Sequence, residues 1–224
     1  LMNPDKVACI IIEPIQAEGG DNHFRDEFFV GLRKLCDDNE VLLIFDEVQT
    51  GIAITGKMWA FQHFSVRPDI ISFGKKTQVC GILANKEKFD EIPNNVFRES
   101  SRINSTFGGN FTDMLRFKMI MEVIEKENLV ENARKVGEYL LNGLIELQSK
   151  FPEKISNARG RGLMCAIDLP TPEQRNHLRS ILYDNGVIIL PCGDQSIRFR
   201  PHLTVSEEEI QIVLDKILYH INEI

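Results

Sequence analysis

The sequence predicts an α/β fold with a mainly parallel β-sheet, followed by a smaller α+β unit. Short, continuous apolar runs at residues 7–12, 41–45 and 70–73 predict three buried strands. Continuous rather than alternating hydrophobicity is typical of strands covered on both faces, as in a parallel sheet. A helical pattern fills the interval between the first two runs, and helices dominate the second half of the chain.

The first helix is predicted over residues 25–39, where Asn39 supplies a stop signal. Its apolar side chains recur at helical spacing. They are Phe28, Phe29, Leu32 and Leu35. A strand–helix–strand unit of this kind brings two parallel strands into one layer with a helix packed against them.

The second half begins with two long helices and continues with short strands and further helices. The two apolar stripes consist of Met114, Phe117, Ile120, Met121 and Ile124, and of Ala133, Val136, Leu140, Leu141, Leu144 and Leu147. Strands are predicted at 162–169, 187–190 and 196–200, and a helix is predicted from Pro172 to a stop at Gly186.

The last predicted helix is the clearest element of the chain. Ser206 and Glu209 form a capping box in front of it. One of its faces is apolar and consists of Ile210, Val213, Leu214, Ile217, Leu218 and Ile221. We therefore assign residues 1–127 to part of a large α/β domain and residues 128–224 to a small α+β domain.

The composition excludes several classes of function. The 224 residues are 43% hydrophobic and carry a net charge of −7, which argues against a nucleic-acid surface. We expect neither a membrane span, which needs ~18 apolar residues, nor a signal peptide. Five scattered cysteines without a CxxC pair disfavour a disulfide framework or a zinc site. They favour a reducing compartment such as the cytoplasm.

Each of the three early strands ends in residues that are costly to bury. Glu13 and Glu18 follow the first strand, Asp46 and Glu47 follow the second, and Lys75 follows the third. Ligands of open parallel sheets bind outside the carboxyl ends of the strands. A single charged strand end often just meets solvent, but three together predict a site.

Residues 51–58 also match the phosphate-loop pattern G-x-x-x-x-G-K, which invites a nucleotide-hydrolase interpretation. Met58, however, stands where that motif needs a hydroxyl for Mg²⁺. The stretch also follows Asp46 by only a few residues, whereas a phosphate loop comes from its own earlier strand. We therefore disfavour this interpretation.

Lys75 and Asp46 together suggest a different chemistry. A lysine amine in a partly desolvated site can form a Schiff base with an aldehyde cofactor. A carboxylate can hold the pyridine nitrogen of pyridoxal phosphate protonated, so that the ring acts as an electron sink. Residues 105–117 add glycines before a helix start, where free N–H groups suit a phosphate.

At these positions the sequence resembles the class III (ω-amino acid) aminotransferases of pyridoxal-phosphate fold type I. The matching stretches are EPIQAEGG (13–20), FDEVQTG (45–51), PDIISFGKK (68–76), STFGGN (105–110), GRGLM (160–164) and IRFRP (197–201). They occur in family order and cover the whole chain. Within the class, residues 73–81 and 104–110 are most similar to the L-lysine 6-aminotransferases, which transfer the ε-amino group of lysine to 2-oxoglutarate.

The resemblance implies a role for each matched residue of the cofactor site. Asp46 would pair with the pyridine nitrogen, Val48 would pack on the ring, and Gln49 would reach the phenolic oxygen. Lys75 would form the Schiff base and shuttle the proton. Thr106 would contact the phosphate bound by the neighbouring subunit of a homodimer.

The resemblance also implies a substrate site. Arg198 would grip a carboxylate, while Glu18 would mask Arg198 for the lysine donor and swing away for 2-oxoglutarate. Arg200 lies on the same strand face and stays an alternative to Arg198. Glu47 is expected to be structural. Lys75 should point into the cleft beside Asp46. Lys76, on the opposite side of an extended chain, should be either solvated or near the phosphate.

Two features depart from the family pattern. Residues 52–55 differ from the usual loop, so no role is transferred to them. The chain also begins almost inside a strand, which suggests a C-terminal portion that would bind the cofactor poorly and turn over little. The alternatives left open are an ornithine, acetylornithine or 4-aminobutyrate aminotransferase and a non-catalytic interaction module that keeps the fold.

Overall fold

A computed structural model of the chain describes residues 6–103 and 105–224. The elements of the first half are β1 (Cys9–Ile12), β2 (Ile15–Gln16), β3 (Asn22–His23), α1 (Asp26–Asp38), β4 (Leu42–Asp46), β5 (Ile70–Phe73), β6 (Gly81–Ala84), α2 (Lys86–Asp90) and α3 (Phe111–Lys126). Strands β1, β4 and β5 pair in parallel, and β6 adds an antiparallel strand in the order β1-β4-β5-β6. The predicted mainly parallel sheet is confirmed.

Helix α1 covers one face of this sheet because its apolar stripe meets the buried residues of β4. The rings of Phe29 and Phe45 lie 5.0 Å apart between their centroids. Phe29, Leu43 and Phe45 are fully buried in one cluster. The predicted strand–helix–strand unit therefore holds the carboxyl ends of β1 and β4 side by side.

The second half of the chain builds a second layer around an antiparallel sheet. Its elements are α4 (Leu129–Lys150), β7 (Ser156–Arg161), β8 (Met164–Asp168), α5 (Pro172–Asp184), β9 (Leu190–Cys192), β10 (Ser196–Phe199) and α6 (Glu207–His220). The strand order is β7-β8-β10-β9. Both hydrogen bonds of the predicted capping box are present, between Ser206 and Glu209.

The prediction of a strand at 187–190 is wrong for residues 187–189. Only Leu190 of this stretch joins a strand, opposite Arg198 of β10. Strand β10 ends at Phe199, and Pro201 beyond it has no N–H to donate to a neighbouring strand. The apolar run was a poor guide because Ile188 is 81% exposed.

The two halves meet where three backbone segments pack without side chains between them. A Cβ on Gly137 of α4 would lie 2.0 Å from the carbonyl carbon of Gly162, and one on Gly162 would lie 2.4 Å from that of Thr55. The amide of Leu163 also donates to the carbonyl of Ile54 at 2.9 Å. Ile54, Thr55 and Gly56, which lie within the phosphate-loop pattern of residues 51–58, therefore form part of this contact.

The domain boundary between residues 127 and 128 stays a prediction. It falls between α3 and α4, where Asn128 adopts a left-handed conformation with φ of 53°. Across the described ranges, the structure contains no helix whose length and apolarity would allow it to cross a bilayer.

Candidate active site

Asp46 lies at the carboxyl end of β4, directly opposite Ser72 of β5. Its Oδ1 accepts hydrogen bonds from the Val48 amide at 3.0 Å and from the Ser72 hydroxyl at 3.1 Å. These two bonds fix the orientation of the carboxylate. Its other oxygen, Oδ2, can still accept a hydrogen bond from a ligand.

Lys75 and Lys76 follow β5 in a short 3-10 turn, not in an extended chain. Lys75 is exposed and has a positive φ of 55°. Lys76 is half-buried, and its Nζ donates to the Gln49 carbonyl at 2.7 Å. Burial, reinforced by the nearby charges of Arg200 and Lys75, lowers the pKa of Lys76 to about 8. The expectation that Lys76 is solvated is therefore wrong, and its alternative position near the phosphate stays a prediction.

Gln49 and Lys75 line one cavity of about 700 Å³. The apolar part of its lining comes mainly from α3 and the start of α4. These two helices contribute Met119, Ile120, Val123, Ile124 and Leu129. Val48, next to Gln49, is half-buried. Asp46 instead lines a separate hollow of about 360 Å³ with Glu13 and Gln16.

Glu47 is fully buried and holds the loop that follows β4. Its carboxylate accepts from the amides of Ala60 at 2.6 Å and Phe61 at 2.9 Å, and from the Thr50 hydroxyl at 3.3 Å. Burial raises the pKa of Glu47 to about 6, although these hydrogen bonds oppose the shift. These contacts agree with the expected structural role.

Glu18 and Arg198 are in direct contact although 180 positions separate them in the sequence. Arg198 Nη1 lies 2.6 Å from Glu18 Oε2, with the arginine side chain 10% exposed and the glutamate 76% exposed. Nε and Nη1 of Arg198 donate no aligned hydrogen bond within residues 6–103 and 105–224. The guanidinium can therefore receive a ligand carboxylate once Glu18 turns away.

Arg200 has a different partner. Its Nη2 donates to Oδ1 of Asp21 at 2.8 Å, and Asp21 is fully buried. A second nitrogen, Nη1, donates to the carbonyl of Phe199 at 2.6 Å. Arg200 also lines the cavity of Lys75, so it faces the site while being held by the protein.

Thr106 lies apart from the other predicted site residues, in an exposed loop before α3. Its neighbours Phe107 and Phe111 are also exposed. Asn104, two positions earlier in the sequence, lies outside the described residues. Within this chain, the structure thus groups Gln49 with Lys75 and Glu18 with Arg198, while Asp46 and Thr106 stand separately.

Sequence reasoning missed several polar residues around these groups. Ser72 orients Asp46, Lys76 fixes the backbone of Gln49, and Asp21 holds Arg200. Arg159 of β7 also bonds to the carbonyls of Gly20 and Asp21. Asp21 gave one signal in the sequence, since it directly follows the two glycines of the EPIQAEGG stretch. These two contacts of Arg159 span 138 and 139 positions and left no local pattern.

Comparison with known proteins gives this arrangement a family. The model of the family described as "Aminotransferase class-III" matches residues 2–221. The chain belongs to the class III aminotransferase family. The resemblance found in the sequence motifs is thereby confirmed, together with the expected fold class.

The chain is also similar to individual proteins. The chain is 54% identical to an L-lysine-epsilon aminotransferase of Mycobacterium tuberculosis, across 94% of this chain and 47% of that protein. It is 41% identical to the mitochondrial 4-aminobutyrate aminotransferase of Sus scrofa, across 93% and 41% of the two chains. It spans about half the length of the curated relatives it matches.

A solved class III aminotransferase has the same fold. It is described as the lysine aminotransferase from M. tuberculosis in the internal aldimine form, and superposes with a TM-score of 0.94 at 52% identity. The match covers 97% of this chain and 50% of the other.

Proposed function

We propose that the protein carrying this chain transfers the terminal amino group of L-lysine to 2-oxoglutarate. The products would be glutamate and 2-aminoadipate 6-semialdehyde. The observation that carries the proposal is the Glu18–Arg198 ion pair at 2.6 Å. A carboxylate that reversibly masks an arginine suits an enzyme that must accept both an ω-amine and a dicarboxylic keto acid at one site.

The residues present fit pyridoxal phosphate, the cofactor of this family. Asp46 offers an anchored carboxylate at a strand end, as a protonated pyridine nitrogen requires. The exposed amine of Lys75 follows the adjacent strand, and Gln49 lines the same cavity. When bound, the cofactor supplies an electron sink for the carbon that loses its proton.

These positions support a role for each of the chain's own residues. Lys75 would hold the cofactor, and would take the proton from the substrate carbon and return it. Asp46 would keep the ring nitrogen protonated, and Val48 would pack on the ring. Lys76 fixes the backbone carbonyl of Gln49, and this keeps Gln49 in the lining of the cavity.

Arg198 and Glu18 would let one site accept the two substrates in turn. While a diamino acid occupies the site, Glu18 neutralises Arg198, so its charge does not repel the ammonium end of the donor. When 2-oxoglutarate enters, Glu18 turns into solvent and Arg198 binds the carboxylate with two donors. Asp21 occupies Arg200, which favours Arg198 for this task.

The test is a comparison of amino donors in the complete protein. Glutamate formation from 2-oxoglutarate is measured with L-lysine, L-ornithine, N-acetylornithine and 4-aminobutyrate. We expect the highest kcat/KM with L-lysine. Preference for another of these donors would replace the substrate assignment, and no bound cofactor at all would favour the non-catalytic module.

We also propose a cytoplasmic homodimer in which Thr106 reaches the phosphate of the neighbouring subunit. The support is the exposed apolar surface around Thr106, which includes Phe107, Phe111 and Met114. The five cysteines are free in the described chain, as a reducing compartment favours. Sedimentation of the protein and of a Phe111→Glu variant tests the assembly, since the charge should dissociate a dimer.

A further inference from the structure

In the segment that carries Glu18, every backbone carbonyl from residue 17 to residue 21 accepts a hydrogen bond. We call residues 17–21 the Glu18 loop. The carbonyl of Ala17 accepts from the Asp21 amide at 3.0 Å, and that of Gly19 accepts from Asn22 Nδ2 at 3.2 Å. The carbonyls of residues 18, 20 and 21 are also bonded, and their donors come from the second half of the chain.

Arg159 supplies two of these donors. Its Nη2 donates to the Gly20 carbonyl at 2.6 Å and its Nε to the Asp21 carbonyl at 2.9 Å. The guanidinium is itself anchored, because Nη1 lies 2.9 Å from Asp168 Oδ1. Nη2 also bonds to the Ser196 hydroxyl at 3.0 Å. Arg159 thus joins the Glu18 loop to three strands of the antiparallel sheet.

Arg159 and Arg198 lie in one row of that sheet. Both pair with Ala166 of β8, Arg159 from β7 and Arg198 from β10. Directly opposed residues of neighbouring strands project to the same face. One arginine of the row holds the backbone of the Glu18 loop, and the other meets the carboxylate of that loop.

Gly193, in the turn between β9 and β10, also contacts the Glu18 loop. Its amide donates to the Glu18 carbonyl at 2.9 Å. Its φ is +50°, and a Cβ there would lie 2.8 Å from Gly20 Cα. The loop is therefore pressed against the turn between β9 and β10 as well as held by Arg159.

We propose that Arg159 is a positioning residue that fixes the backbone of the Glu18 loop over Arg198, so that the ion pair opens by rotation of the Glu18 side chain alone. The inference rests on the proposed role of the pair in donor selection. Without Arg159, the loop carbonyls lose two charge-assisted donors, and Glu18 masks Arg198 less completely. Donors whose reacting amine lies beside a carboxylate then gain access to Arg198.

The first experiment measures the loop itself, without reference to turnover. Hydrogen exchange is followed in the complete protein for peptides that contain the amides of Asp21 and Gly193. In Arg159→Met, these amides should exchange about tenfold faster or more, because charge-assisted hydrogen bonds are lost. The matched control is Arg175→Met. Arg175 is also buried and bonds to the Ser196 carbonyl at 3.3 Å, but belongs to α5.

The second experiment measures donor choice. In Arg159→Met, kcat/KM for L-lysine should fall about tenfold relative to L-alanine, on the scale of one such hydrogen bond. KM for 2-oxoglutarate should stay unchanged or fall. Arg159→Lys keeps the charge without the planar fork and should give an intermediate result. This variant carries the test if Arg159→Met does not fold.

Two results would overturn the proposal. One is exchange in the Glu18 loop that is unchanged in both Arg159 variants. The other is a parallel loss of L-lysine and L-alanine activity, as a merely structural role would produce. If the unmodified protein shows no preference for L-lysine, the proposed function is refuted. The exchange measurement would still test whether Arg159 fixes the Glu18 loop.

Discussion

Nη2 of Arg200 lies 2.8 Å from Oδ1 of Asp21, a carboxylate with no exposed surface. Arg198, two residues earlier, pairs with Glu18, whose side chain is largely in solvent. The two arginines therefore differ in what their partners can do. Asp21 cannot turn to water, whereas Glu18 can.

This difference predicts unequal effects on stability. Arg200→Met leaves Asp21 buried without its cation, and we expect a loss of about 3–5 kcal/mol in the free energy of unfolding. Arg198→Met leaves Glu18 in water and should cost about 1 kcal/mol or less in charge pairing. Urea denaturation of both variants measures this, and equal losses would contradict it.

The two adjacent lysines should be separable by chemistry. Lys75→Ala should abolish covalent attachment of pyridoxal phosphate and lower kcat by about 10²–10⁴-fold or more, as expected for loss of a proton-transfer group. Lys76→Met should keep the attachment. Borohydride reduction followed by peptide mass spectrometry locates the modified lysine. Label on residue 76 in the unmodified protein would reverse the assignment.

His23 should make the protein sensitive to acid. Burial lowers the pKa of His23 to about 4, although Asp21 opposes this. Between pH 6.5 and 4 the unfolded chain then binds more protons than the folded one. The contribution of neutral His23 to the free energy of unfolding is therefore complete above pH 6.5. It decreases by roughly 3 kcal/mol as the pH falls from 6.5 to 4.

The measurement is the free energy of unfolding between pH 7 and 4. His23→Gln should show a shallower decrease than the unmodified protein. His177→Gln is the control, because His177 is exposed. An identical slope in all three proteins would exclude His23 as the cause.

The close backbone contact between the halves should tolerate no side chain. Gly162 has a φ of +55°, and its Cβ would lie 2.4 Å from the Thr55 carbonyl carbon. Gly162→Ala should therefore cost about 3 kcal/mol or more. Gly31→Ala in α1 is the control, since nothing lies within 4 Å of its Cβ position. This change should stabilise the helix by about 0.5–1 kcal/mol, and thermal unfolding distinguishes the two.

Much of the candidate site could be predicted from the residues at which the strands end. Continuous apolar strands end where backbone pairing stops, so Asp46 and Lys75 could be assigned to one sheet edge from sequence order alone. The contact of Glu18 with Arg198 was expected from the family motifs. Their positions relative to a bound cofactor stay predictions.

Other features depend on information that no short segment carries. The extended chain predicted after Gly74 is wrong, because the positive φ of Lys75 starts a turn there. Strand β7 has no apolar pattern, since its sequence is SNARGR. Its pairing with β8, and hence the position of Arg159, is set by the packing of the whole second half.

The exposure of the Glu18 side chain also has a consequence in time. Exposed side chains change rotamer within picoseconds to nanoseconds, whereas enzymes typically turn over about 1–10³ times per second. Under the proposed function, and with only this side chain moving, Arg198 is covered and uncovered many thousands of times in each turnover. The choice between an amine and a carboxylate is then made at equilibrium. It follows from the relative affinities of the two ligands, and the rate at which the ion pair opens cannot limit the reaction.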